Sequence, residues 1–420
     1  MGTSGAAHCR GGRNRPSIGD MTTGATAYVP NRPWLTRSGP AWPRLARLVA
    51  PGRPGRGSLL ANFGPNWFAS VMGTGIVANA AVTLPLRVPG LRVAATAVWL
   101  LASALLLGLC AAAVAHWVRH RARARGHAGD PVMAQFYGAP PMALLTVGAG
   151  SLLLGRDLLG GLAIDVSWAL WLAGTVGGVA SAVSIPYLMF TRHRLTGDSV
   201  FGGWLMPVVP SMVSAATGAL LVPFAPPGQL RLTLLLACYA LFGLSLLPSV
   251  VITTLLWQRL ALHKVGAAAL VPTLWIVLGW LGQSVTAANA LGAVAHLELP
   301  APYAAGFEVF GLVYGLPVFG FALLWVALAA AVTIRAARAG LPFSLTWWSF
   351  TFPVGTVVTG TSALAAHTGA HVLVMAAGLG YLGLVGAWGT VAVRTARGSL
   401  RGTLFPPEPA TATGRPSTRR

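Results

Sequence analysis

The sequence predicts an all-α integral membrane protein: ten transmembrane helices, paired as five helical hairpins around a central path. Three observations predict it. Of 420 residues, 55% are apolar and only 9% are charged, where a soluble domain carries about 25% charged residues. The apolar residues form stretches near the roughly 20 residues that a helix needs to cross a bilayer. The basic residues fall between those stretches, densely and sparsely by turns. A mean hydropathy of +0.68 excludes a soluble enzyme, a disordered chain and a small disulfide scaffold.

Taken in order, residues 1–60 hold nine Arg among many Gly and Pro, with no apolar run of signal-peptide length. They read as a disordered cytoplasmic tail, and Met21 would serve equally well as a start. Spans are expected at 66–86, 92–118, 133–155, 162–190, 202–223, 230–257, 266–293, 305–334, 345–366 and 371–394. Barrel strands would alternate with period two, which Leu100 to Val114 does not do. Residues 398–420 resemble the first tail in composition, so 61–397 is the expected ten-helix domain.

The formal net charge of +21 acquires meaning when sorted by position, since 15 of the 29 basic residues lie in residues 1–60 or from Arg394 onward. Arg119, Arg121, Arg123 and Arg125 occupy the second gap, Arg192 and Arg194 the fourth, Arg259 and Lys264 the sixth, Arg335 and Arg338 the eighth. The odd gaps hold only Arg87, Arg92, Arg156 and Arg231, so the bias is ten to four. By the positive-inside rule the richer side is cytoplasmic. An even span count puts both termini there, in a multi-pass protein of the plasma membrane. No basic stretch joins a soluble domain, so the lipid bilayer is the expected partner and nucleic acid is not.

Cys9, Cys110 and Cys238 show no metal or disulfide spacing. His116 with His120, and His367 with His371, have helical ligand spacing without a third ligand nearby. No metal and no cofactor is expected. No nucleophile–base pair or metal box lies in a span, so no catalytic residue and no enzyme is expected either.

The odd spans differ in kind from the even ones. They start near Asn66, Met133, Gly202, Gly266 and Leu345. Most carry proline: Pro140 and Pro141 in the third, Pro207 and Pro210 in the fifth, Pro272 in the seventh, Pro353 in the ninth. The first has Pro65 at its start and Gly73, Thr74 and Gly75 inside. Hydroxyl and amide groups concentrate there too, as in Ser211, Ser214, Thr217, Gln283, Ser284, Thr286, Asn289, Thr359 and Ser362. Lipid gives such groups no partner, and kinks free backbone carbonyls that need protein or water. Close helix packing explains any one of these residues. Their recurrence in five spans at near-equal spacing places the odd helices inside. The candidate lining residues are Gly73, Thr74, Gly75, Pro140, Pro141, Pro207, Pro210, Ser211, Thr217, Gln283, Ser284 and Pro353.

Four stretches carry a family resemblance. They are Asn66-Trp67-Phe68-Ala69-Ser70-Val71-Met72-Gly73-Thr74-Gly75-Ile76; Trp204-Leu205-Met206-Pro207-Val208-Val209-Pro210 with Ala215-Ala216-Thr217-Gly218; Trp275-Ile276-Val277-Leu278-Gly279 with Leu281-Gly282-Gln283; and Trp347-Trp348-Ser349-Phe350-Thr351-Phe352-Pro353. They resemble the first, fifth, seventh and ninth helices of the tellurite-resistance/dicarboxylate transporter family. That family includes bacterial tellurite-resistance homologues, yeast malic acid transporters, fungal sulfite efflux pumps and plant slow-type anion channels. The resemblance covers roughly residues 60–397. It implies quasi-fivefold symmetry, a central pore for small anions, a homotrimer, and a pore-plugging phenylalanine in the ninth helix. By motif that gate is Phe352, or Phe350 if the register shifts by two residues.

The residues suit such a path. A full positive charge would hold an anion too tightly, whereas conduction needs weak, multiple contacts. The odd spans offer hydroxyls and amides and no charge near their centres. An apolar ring at Phe352 would dewet a constriction. Glu308 and Asp165 fall near the outer surface, where a proton-coupling carboxylate is not expected to lie. Three functions follow for test: an anion channel or exporter for sulfite, malate-like C4-dicarboxylates or inorganic anions; a proton-coupled dicarboxylate uptake carrier; and a membrane-embedded enzyme. Tellurite resistance itself would be incidental to anion movement.

Overall fold

The structure, a computed structural model, describes residues 59–402 and residue 404. The expected tails at 1–60 and 398–420 lie almost wholly outside the described residues. Within these the protein is helical and contains no strand. Among the described residues, seven segments rather than the expected ten are long and apolar enough to cross a membrane: Leu91–Arg119, Met133–Leu159, Leu162–Thr191, Gln229–His263, Ala268–Ala295, Ala301–Arg338 and His371–Leu400. Val209–Phe224 is apolar but shorter.

The α-helices are α1 (Ala69–Thr83), α2 (Leu91–Arg119), α3 (Arg121–Gly129), α4 (Ala139–Gly150), α5 (Arg156–Leu159), α6 (Leu162–Thr191), α7 (Val209–Leu221), α8 (Gln229–His263), α9 (Val277–Ala295), α10 (Ala301–Arg338), α11 (Phe352–Thr368) and α12 (His371–Leu400). They fall into two populations. In α2, α10 and α12 only 17% of the most apolar stretch is buried, against 83% for Ala268–Ala295. Large apolar side chains such as Leu107, Val176, Leu247, Val313 and Leu379 stand fully out from α2, α6, α8, α10 and α12. So continuous an apolar exterior on membrane-length helices suits a lipid-facing shell.

The buried population is α1, α4, α7, α9 and α11. Each is introduced by a tight 3₁₀ turn: Pro65–Phe68, Met133–Gly138, Gly202–Leu205, Ala268–Ile276 and Leu345–Phe350. Here the expected kinks take a different form. Pro140, Pro141, Pro210 and Pro353 occupy the first turn of α4, α7 and α11. A proline there loses no helical hydrogen bond, because the first N–H groups have no intrahelical acceptor. Among the described residues, the prolines inside α-helices are Pro186, Pro248 and Pro317, on the exposed α6, α8 and α10, while Pro272 lies within the 3₁₀ segment Ala268–Ile276.

Packing follows chain order. Each buried helix contacts the exposed helix that follows it, and each also contacts the next buried helix. α11 returns to α1 and closes a ring. Missing side chains make the closest approaches possible. A Cβ on Gly138 would lie 1.8 Å from the Met206 carbonyl oxygen, and one on Gly202 1.8 Å from that of Thr273. Tryptophans tie the shell to the ring: Trp171 Nε1 donates to the Ser214 carbonyl at 2.9 Å and Trp325 Nε1 to that of Leu274 at 2.8 Å.

Candidate functional site

The ring encloses three cavities in succession. The first, about 370 Å³, opens at the end predicted to be cytoplasmic and is lined by the start of every buried segment, including Asn66, Phe136, Phe201, Leu270 and Thr346. Arg123, His127 and Asp130 of α3 and its C-terminal flank close one side. Asp130 Oδ1 accepts from Val132 N and Met133 N at 2.9 Å each, which anchors the turn at Met133. His127 stacks on His116, with centroids 5.4 Å apart and planes 9° from parallel. Burial, then the charge of His116, push the His127 pKa down against an upward pull from Asp130.

The second space is only about 20 Å³ and is walled by apolar side chains, among them Met72, Met142, Met206, Ile276 and Phe352. A space of that size admits about one water molecule, against about 370 and 490 Å³ in the cavities on either side, so this is a constriction. The third cavity, about 490 Å³, lies towards the opposite end. Its wall mixes Ile76, Val213, Leu220 and alanines with Asn79, Thr146, Thr217, Gln283, Thr286, Asn289, Thr359, Ser362 and His367.

Phe352 borders both the constriction and the third cavity. It is 2% exposed and is the first residue of α11. The Thr351 hydroxyl donates to the Trp348 carbonyl at 2.7 Å, ending the 3₁₀ turn just before it. Thr356 then ties α11 to α9 by donating to the Leu278 carbonyl at 3.1 Å. Phe350 points elsewhere, packing edge-on against Trp275 and Trp347 at 5.6 Å each.

Of the other candidates, Thr217 and Gln283 line the third cavity and Pro353 the constriction. The rest lie at helix contacts. Gly73 leaves room for Thr351 and Trp348, and Gly75 for Thr146. Thr74 faces outward and accepts from Trp388 Nε1 at 3.1 Å. Pro141 and Pro210 pack on α6 at Gly174 and Gly178. The Pro207 carbonyl accepts from Ser181 Oγ at 2.9 Å. Ser284 accepts from the Tyr314 hydroxyl at 2.8 Å. Ser211 is fully buried and Pro140 half-buried. Residues that sequence reasoning missed include Asn79, whose Nδ2 donates to the Thr146 carbonyl at 3.0 Å, and His367.

A closed ring of buried helices around polar and apolar chambers, inside a lipid-facing shell, defines a multi-pass membrane transport protein. The chain belongs to the voltage-dependent anion channel (SLAC1) family, whose model matches residues 62–396. This is the family that its helix motifs resemble. It is similar to the sulfite efflux pump SSU1 of Arthroderma otae, 28% identical over 311 residues that cover 73% of this chain and 82% of that protein. The sulfite efflux pump SSU1 of Trichophyton rubrum is 28% identical with the same coverage. The uncharacterized transporter MJ0576 of Methanocaldococcus jannaschii is 27% identical over 302 residues, covering 71% of this chain and 83% of that protein. The chain is thus a membrane anion transporter and not an enzyme.

Proposed function

We propose that the protein moves small anions through the three cavities from the cytoplasm outward, with the Phe352 ring as its gate. Ten helices cross the membrane in this reading. α1, α4, α7, α9 and α11, with their leading turns, form a quasi-fivefold inner ring. Both termini are cytoplasmic, the membrane is the plasma membrane, and the assembly is a homotrimer. Sulfite is the first substrate to test, because relatives covering most of this chain are named sulfite efflux pumps. C4-dicarboxylates such as malate and inorganic anions such as chloride come next.

The observation that carries this reading is that Phe352 lines both a cavity whose mixed wall includes hydroxyls and amides and an apolar constriction with room for about one water molecule. An apolar ring at a narrowing excludes water, and with it ions, until it turns aside. Beyond it Thr217, Gln283 and Thr286 offer neutral dipoles, which replace hydration without trapping the ion.

The test is flux from liposomes loaded with sulfite or chloride. Phe352→Ala is expected to raise the leak on the order of tenfold, equal to lowering a barrier by about 1.4 kcal/mol. Unchanged flux in a variant with wild-type thermal stability would remove Phe352 from the gate.

A further inference from the structure

Among the described residues, the third cavity has a single titratable side chain in its lining, His367 near the C-terminal end of α11. Its surroundings dictate which ring nitrogen holds a proton. Asn289 Nδ2 donates to the Val285 carbonyl at 2.8 Å and to the Gly311 carbonyl at 3.1 Å. Both partners only accept, so the amide nitrogen must face them and Oδ1 must face away. That oxygen lies 2.7 Å from His367 Nδ1. An amide oxygen only accepts, so Nδ1 carries a proton in both charge states of the ring. Asn289 is held in this pose by burial, and a Cβ on Gly311 would stand 3.0 Å from its Oδ1. Proton exchange is therefore left to Nε2.

Nε2 faces Glu308 Oε1 of α10 at 3.4 Å. The Glu308 carboxylate is 59% exposed while the His367 side chain is 20% exposed. The pair thus lies at the open end of the cavity. The neighbouring elements bring other titratable groups to the same end of the helices: exposed His296 after α9, exposed His371 at the start of α12, and exposed Arg87 after α1. Glu308 is the carboxylate in ion-pair range of His367 among the described residues.

Given the anion path proposed above, on which this inference rests, we propose that His367 is a proton-dependent anion-binding residue of the outer cavity. Asn289 positions the ring, and Glu308 competes with the passing anion for the Nε2 proton. With the ring neutral, the pair has a net charge of about −1 and repels anions. With Nε2 protonated the pair is neutral overall, and the N–H offers an anion a charge-assisted hydrogen bond. His367 is a specificity-determining residue of the path, recognising anions when the outer side is acidic.

The experiment uses the full chain in a planar bilayer with chloride on both sides and pH changed in one chamber at a time. Chloride keeps one charge throughout, so a pH response belongs to the protein. Between about pH 8 and pH 5, where histidines change charge, acidifying the chamber that His367 faces is expected to raise conductance on the order of tenfold, as one charged hydrogen bond implies. His367→Gln abolishes that rise. Glu308→Gln raises conductance at the alkaline end, and because Glu308 is exposed it tests the pair even if the histidine variant does not assemble. A wild-type pH response retained in His367→Gln, or no effect of Glu308→Gln at alkaline pH, overturns the inference. Wild-type protein that passes neither chloride nor sulfite at any pH overturns instead the anion-path reading.

Discussion

Phe352 owes its place to its neighbours. Thr351 ends a 3₁₀ turn with its own hydroxyl, Pro353 starts a helix without needing an N–H, and the residue between them is set at the bend. The sequence pointed to Phe352 only through the resemblance of its ninth-helix motif to the family. Thr217 and Gln283 were legible for a simpler reason, since a polar group in an apolar helix needs a partner or a cavity. Gly73, Thr74 and Ser284 show where such reasoning stops. Small and hydroxyl residues serve both cavity walls and helix contacts, and nearly all sides of α1 are buried, so no polar stripe reveals its rotation. Asn79 finds its partner Thr146 sixty-seven residues away, a contact no local pattern contains. His127 carries a prediction at this scale. Its pKa is lowered in the folded state, first by burial. A histidine so depressed lets the unfolded chain take up the proton first, so its share of stability is intact above the ordinary value of about 6.5 and declines as pH falls through that region. Melting temperature followed from neutral pH to about pH 5 should fall less in His127→Gln than in wild type. An equal acid loss in both would remove His127 from the vestibule's pH response.

The all-helical class and the order of the seven long apolar segments were readable because long apolar runs between charged gaps leave one solution in lipid. Their internal anatomy was not. The prolines of the odd spans signalled irregular backbone correctly, but it takes the form of a 3₁₀ turn before each helix, and the one break inside such a described span, the π turn Ser151–Gly155, carries no proline. The sequence motif alone does not tell a proline at the first turn from one at a kink. The contact between α9 and α11 is a tight packing constraint between two helices of the ring. A Cβ on Gly282 would lie 2.3 Å from the Thr356 carbonyl carbon and from Val357 N. Backbone cannot yield as a side-chain tip can, so Gly282→Ala must push α9 off α11. Overpacking of this kind costs about 1–3 kcal/mol, and the pair borders Phe352's helix. The expected result is a lowered melting temperature in detergent for Gly282→Ala. Gly108→Ala on α2, where an added Cβ meets nothing within 4 Å, should melt like wild type. Equal melting of the two variants would show that the ring is looser than these distances imply.

For the whole molecule, charge and shape agree on one polarity. The cavity at the end predicted to be cytoplasmic is bordered by Ala61, Asn62 and Leu404, so both ends of the described chain converge there. The helix α3, with Arg121, Arg123 and Arg125, lies across the same mouth. The opposite end has a single histidine in its cavity wall, paired with a carboxylate. Among the described residues, basic side chains of α3 are thus brought to one entrance, while the outer cavity wall holds a single histidine. A cationic rim raises local anion concentration and speeds entry without binding any ion tightly. Its reach is set by salt: the Debye length is about 30 Å at 0.01 M and about 3 Å at 1 M. Arg121 and Arg125 are exposed, so replacing both with Gln should leave the fold alone. Initial anion flux driven from the cytoplasmic face is then expected to drop several-fold at about 0.01 M ionic strength and to match wild type at about 1 M. Flux driven from the other face should be unchanged at both. A loss that persists at high salt would mean these arginines act by contact rather than through their field. A loss from the opposite face would reverse the orientation assigned to the chain.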